Sequence, residues 1–159
     1  MPRRTRLILP VLVALACVVG RAPAATASAH RSHSRVAVRV ARERASVVRF
    51  ARRFLGVPYS YGGVSPASGF DCSGFTRYVF AHFGVALPHY TFGQYDLGRS
   101  VSRSALEPGD LVFFDGVGHV GLYIGRDRFI HAPHSGTRVS VDSLSGWYGG
   151  RYVGARRLL

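Results

Sequence analysis

Cys72 lies in the run Gly69-Phe70-Asp71-Cys72-Ser73-Gly74-Phe75, and a thiol in such a setting is a candidate nucleophile. Asp71 stands where an N-cap would stand, so Cys72 is expected in the first turn of a helix. Unpaired N–H groups and the positive end of the helix dipole would face its sulfur there and lower its pKa. Acyl transfer through a thiolate also needs a base that takes the proton and returns it to the leaving amine. His119 is the candidate, at the start of His119-Val120-Gly121-Leu122-Tyr123-Ile124-Gly125, where strand alternation leaves it at a sheet end. A third group must hold the useful tautomer of that ring, and His131 on the next strand can do so through a neutral ring nitrogen, with His134 as the alternative. The histidines lack the compact spacing of a zinc site, so neither a metal nor another cofactor is expected.

The elements that would position these groups fall in a definite order. Val47, Val48, Ala51, Phe54 and Leu55 recur at helical spacing from about Glu43, and Gly56 with Pro58 ends that helix. A Gly-, Ser- and Pro-rich loop from Tyr59 to Gly69 leads into the cysteine helix, about Cys72 to Phe83, which Gly84 closes. A short helix is expected around Tyr90 to Leu97. Beyond Pro108-Gly109 the pattern becomes strand-like over Asp110–Phe114, His119–Ile124, Arg128–His131, Thr137–Val141 and Tyr152–Arg156. Helices followed by an antiparallel meander predict an α+β fold.

The other cysteine, Cys17, falls in an apparent export signal. Arg3, Arg4 and Arg6 precede an apolar run from Leu7 to Gly20, and Ala27-Ser28-Ala29 offers a small-x-small cleavage site, giving a signal peptide over 1–29. That run is shorter than the ~20 residues a membrane-spanning helix needs. Lipidation at Cys17 is disfavoured because apolar residues continue past it. Export leaves Cys72 without an intramolecular disulfide partner, and an unpaired thiol in an oxidising compartment is easiest to understand as a working one. Residues 30–41 read as a basic, flexible leader and 42–159 as one domain. All 21 basic residues are Arg, the formal net charge is +13, and the arginines crowd the segment before Phe54. Nucleic acid is therefore not the expected partner of this exported chain. Anionic cell-envelope polymers fit the arginine-rich leader better, and a monomer is expected.

Gly56-Val57-Pro58-Tyr59-Ser60-Tyr61-Gly62-Gly63, Phe70-Asp71-Cys72-Ser73-Gly74-Phe75, Leu87-Pro88, Pro108–Phe114, His119–Gly125 and Phe129-Ile130-His131-Ala132, in that order, resemble the NlpC family of bacterial cell-wall cysteine peptidases. The resemblance spans most of residues 45–159. It implies a minimal papain-like fold, with the cysteine at the N-terminus of a helix packed on an antiparallel sheet of five to six strands. It also implies hydrolysis of peptidoglycan stem peptides, usually between D-γ-glutamyl and a diamino acid. Cys72 matches the family's nucleophile, His119 its base and His131 its third polar residue. Tyr59 matches a tyrosine beside the site, whose hydroxyl with the Cys72 N–H could stabilise the oxyanion, and Asp71 and Ser73 match positions that shape substrate binding. Two alternatives remain: amidase or acyl-transfer chemistry on another amide or ester, and an inactive wall-binding module.

Overall fold

The structure, a computed structural model, describes residues 24–159, so the basic start and apolar run assigned to the signal peptide lie outside the described residues. Helix α1 spans Ala24–Ala51, followed by a 3-10 turn over Arg52–Phe54. Its last turns bury Val47, Val48 and Ala51, with Phe54 just beyond, while the Phe50 ring stacks on His82 at 3.9 Å. Residues 30–41, expected as a flexible leader, are instead helical and continuous with this anchored end. No Gly or Pro interrupts positions 24–55, and Ala and Arg are strong helix formers. Propagation from an already fixed turn avoids the nucleation cost that a free leader would face. Among the described residues no helix is long and apolar enough to cross a membrane.

The expected loop from Tyr59 to Gly69 contains a small hairpin of β1 (Val64–Ser65) and β2 (Gly69–Phe70). It delivers the chain to α2 (Cys72–Ala81), where the Asp71 side chain accepts from the Gly74 N–H at 2.6 Å and caps the helix. Helix α3 (Thr91–Tyr95) is shorter than the reading of Tyr90–Leu97. Buried Gln94 ties it to α2: its amide nitrogen donates to the carbonyls of Ser73 and Pro88, both at 2.9 Å, and its oxygen accepts from Thr76 at 2.7 Å.

Six strands form one antiparallel sheet: β3 (Arg99–Val101), β4 (Leu111–Phe114), β5 (His119–Gly125), β6 (Arg128–His131), β7 (Ser140–Ser143) and β8 (Tyr152–Arg157). Their order is β3-β8-β4-β5-β6-β7. Strands β4 to β7 are the expected meander, but β8 returns to the opposite edge of β4, where β3 pairs with it. Strand β3 was not legible because Arg-Ser-Val offers no alternation. The strand expected at Thr137–Val141 begins later, at Ser140. Residues 137–139 pair instead with the segment after α1: Tyr59 N–H donates to the Thr137 carbonyl, Gly56 N–H to that of Val139, and Val139 N–H to that of Val57.

The sheet separates two hydrophobic layers. Leu111, Phe113, Val120, Leu122 and Ile130 pack with Phe75 and Val79 of α2 and with α1. Val112, Phe114, Tyr123, Phe129 and Ala155 form the second layer, covered by Leu144, Tyr148 and Tyr152. Each fully buried Phe contributes about 1.5–3 kcal/mol through removal from water. Strand parity sends His119 and His131 to this second face, and Gly121 between His119 and Tyr123 leaves room for them. A Cβ at Gly121 would lie 2.5 Å from Phe129 Cδ2 and 3.2 Å from His131 Cβ. Buried Asp110 and Arg157 clamp β4 to β8 through two 2.7 Å contacts, which satisfies charges that would be costly if left alone.

Candidate active site

Cys72 is the first residue of α2, beside the start of β5, and the backbone N–H groups of Val120, of Ser73 and of Cys72 itself act on its sulfur in the direction that lowers its pKa. These donors favour the thiolate, as the helix-start argument expects. Burial opposes them and prevails, so the thiol pKa is raised, with the neighbouring Asp71 carboxylate adding to the rise. The expectation of a lowered pKa is thus corrected: the helix terminus acts in the expected direction, but desolvation outweighs it.

Asp71 is heavily engaged. Its Oδ1 accepts from Gly74 N–H and from the Ser73 hydroxyl at 3.1 Å, while its Oδ2 accepts from Gly62 N–H at 3.1 Å and meets His89 Nε2 at 2.8 Å. Capping the helix, fixing Ser73 and holding His89 are therefore simultaneous tasks of one carboxylate. His89 was not singled out from the sequence, where one histidine after Leu87-Pro88 carries no signal without the fold. Tyr59, Cys72, Asp71, Ser73 and His89 line an open cleft of about 360 Å³, with exposed Tyr61 and Tyr90 at its rim. Burial, then the negative potential of Cys72 and Asp71, raises the Tyr59 pKa, so its hydroxyl remains a hydrogen-bond donor.

Two strands bring the histidines together. His119 Nε2 lies 2.7 Å from His131 Nδ1, and His131 Nε2 lies 2.7 Å from Asp142 Oδ2. His131 is fully buried, whereas the Asp142 side chain on β7 is 45% exposed. Tyr148 packs against both rings, its centroid 5.2 Å from that of His131 and 6.2 Å from that of His119. Burial, followed by the neighbouring His131 and His134, lowers the His119 pKa to about 3 and leaves the imidazole neutral near pH 7. Burial likewise lowers that of His131, against the pull of Asp142. His134 is exposed, with its Nδ1 3.0 Å from the Ser135 carbonyl, so His131 is the residue that contacts the His119 ring.

Asp142 escaped the sequence reading. The available signal was parity: Asp142 is the register partner of Phe129, which lies on the same face of β6 as His131. With β7 expected to end at Val141, that acid fell outside the sheet. Among the described residues no group of His, Cys, Asp and Glu is arranged to hold a metal ion. A larger apolar groove, about 600 Å³, runs between α1 and Pro108 and contains none of the candidate catalytic residues.

The arrangement combines a thiol, a neutral imidazole with a hydrogen-bonded partner, and donors beside the sulfur, which together suit acyl transfer from an amide. The family model for the NlpC/P60 family matches residues 56–157. Probable endopeptidase p60 of Listeria seeligeri is 44% identical over 110 residues, 67% of this chain and 20% of that protein. Gamma-DL-glutamyl hydrolase of Bacillus subtilis is 39% identical over 118 residues, 70% of this chain and 28% of that protein. The structure of the peptidoglycan hydrolase RipB from Mycobacterium tuberculosis superposes with a TM-score of 0.66 at 34% identity, covering 75% of this chain and 66% of that one. The chain therefore spans only 20% and 28% of the length of these two curated relatives.

Proposed function

The chain belongs to the NlpC/P60 family, and on that footing we propose that it is a cysteine peptidase that hydrolyses the stem peptides of peptidoglycan. The observation that carries the reading is the convergence of Cys72, at the start of α2, with the strand opening at His119, whose ring is hydrogen-bonded to His131. In this scheme Cys72 Sγ attacks the scissile carbonyl carbon while its proton passes to His119. The Cys72 N–H and the Tyr59 hydroxyl receive the developing oxyanion, a donor of this kind contributing about 2.7–4 kcal/mol. Collapse breaks the C–N bond, His119 returns the proton to the departing amine, and a thioester remains. Water, deprotonated by His119, then attacks the thioester and releases the acid and the free thiol. Asp71 and Ser73 shape the cleft on the substrate side.

The bond best supported is that between D-γ-glutamyl and a diamino acid, because a relative 39% identical over 118 residues is named gamma-DL-glutamyl hydrolase. The sequence of residues 1–29 supports export. On α1, exposed Arg35, Arg39, Arg42 and Arg49 follow one another at three-, four- or seven-residue steps and so share a face, which suits anionic envelope polymers. The catalytic reading is tested by mass spectrometry of purified peptidoglycan digested with the wild type and with Cys72→Ser. The wild type should yield new fragments ending in D-glutamate with partners that begin at the diamino acid, and the variant should yield none. New ends elsewhere would reassign the bond, and equal turnover by Cys72→Ser would remove Cys72 as nucleophile.

A further inference from the structure

A hydrogen-bonded chain of two imidazoles can run in either of two directions with its heavy atoms unmoved. In one, His131 Nε2 carries a proton, His131 Nδ1 accepts from His119 Nε2–H, and His119 Nδ1 is a free lone pair. In the other, His131 Nδ1–H donates to His119 Nε2, and His119 Nδ1 carries the proton. Only the first provides an imidazole nitrogen that can take the Cys72 proton, because the second has both nitrogens of His119 occupied.

The terminal group of the chain decides between them. Asp142 Oδ2 stands 2.7 Å from His131 Nε2, and an ionised carboxylate can only accept, so His131 must donate from Nε2. The 2.7 Å contact between His131 Nδ1 and His119 Nε2 then needs the proton on His119. We propose that Asp142 is a positioning residue that sets the direction of this relay, so that His119 presents an unprotonated Nδ1 to Cys72. Its carboxylate also lies at the far end of a chain that becomes positively charged when His119 takes the thiol proton, and so favours that state. The inference rests on the hydrolase reading for its catalytic meaning, but the direction of the relay is a property of the resting protein.

Two measurements test it. Nitrogen-15 spectra of the histidine side chains in the free protein at neutral pH should show His119 and His131 each protonated at Nε2 alone. In Asp142→Ala the reverse arrangement, with protonated Nδ1, should appear at both rings. Steady-state kinetics on a soluble muropeptide should show kcat lower by about 10–100-fold in Asp142→Ala, with KM little changed. Asp142→Glu, which restores an acceptor-only terminus, should recover both the tautomers and part of kcat. Because Asp142 is half-exposed on an edge strand, an unchanged melting temperature is expected and separates relay loss from unfolding. Identical tautomers in wild type and Asp142→Ala, or kcat within twofold of wild type, would overturn the proposal. A wild type that shows the expected tautomers and their reversal but cleaves no peptidoglycan would support the relay and refute the hydrolase reading.

Discussion

Burial and the nearby backbone N–H groups act on Cys72 in opposite senses, and burial prevails. With His119 titrating only near 3, the resting pair is a neutral thiol beside a neutral imidazole rather than an ion pair. In the proposed reaction the proton therefore moves during attack on substrate. The consequence is measurable without substrate: iodoacetamide should label Cys72 slowly at neutral pH, with a rate that rises through a midpoint above that of a small free thiol. Rapid labelling well below that range would show that the thiolate is already formed. At this scale the sequence was informative where residue type alone dictates chemistry. Cys72, His119 and His131 stood out because few side chains can serve as nucleophile, base and ring partner. Asp142 and His89 did not, since a carboxylate and an exposed-looking histidine have many ordinary uses and gain meaning only from the atoms placed 2.7–2.8 Å away.

Helix α1 shows how an element can exceed its local signal. The buried positions Val47, Val48 and Ala51 were legible as a helical face, but residues 30–39 are mostly polar and basic and have no clear apolar periodicity to announce a helix. They are helical because nothing breaks the chain after the anchored end. An arginine series on a helix is more ordered than one on a flexible leader, and its charges project from a fixed side. Replacing Arg35, Arg39 and Arg42 together by Glu should lower the salt concentration that elutes the protein from isolated cell walls, with activity on soluble muropeptides unchanged, since these residues stand apart from the cleft. Elution at unchanged salt would remove this face as an envelope contact. Strands behaved differently: Arg128–His131 was exact because a tight turn at Arg126 and Asp127, both at positive φ, fixes its start. Strand β7 slipped because long-range pairing with residues 56–59 claimed part of the expected segment.

At the scale of the whole molecule, two neutral histidines, His131 buried and His119 half-buried, couple the site to global stability. Folded His119 protonates near pH 3 and an unfolded histidine near 6.5, so between these values the unfolded chain binds the extra proton. Stability from this source is complete above about pH 6.5 and is lost as pH falls; His131, also depressed, adds in the same direction. Thermal unfolding should accordingly shift to lower temperature between pH 7.5 and 4.5, and a His119→Gln, His131→Gln double variant should show a shallower pH dependence. A melting temperature flat over that range in the wild type would contradict the neutral state of the pair. The architecture also divides the reactive groups, since Cys72 packs with the layer that contains α2 and α1, whereas His119 and His131 lie over the other. Gly121 sits in the sheet that joins these layers, and its bare Cα works as a gauge for the spacing of neighbouring strands. A single methyl group there would act as a wedge against Phe129 and the His131 backbone attachment. Every reactive group would survive unaltered, yet the machine would be out of alignment. The tolerance of this site to inherited change is therefore set in part by an atom that the chain omits.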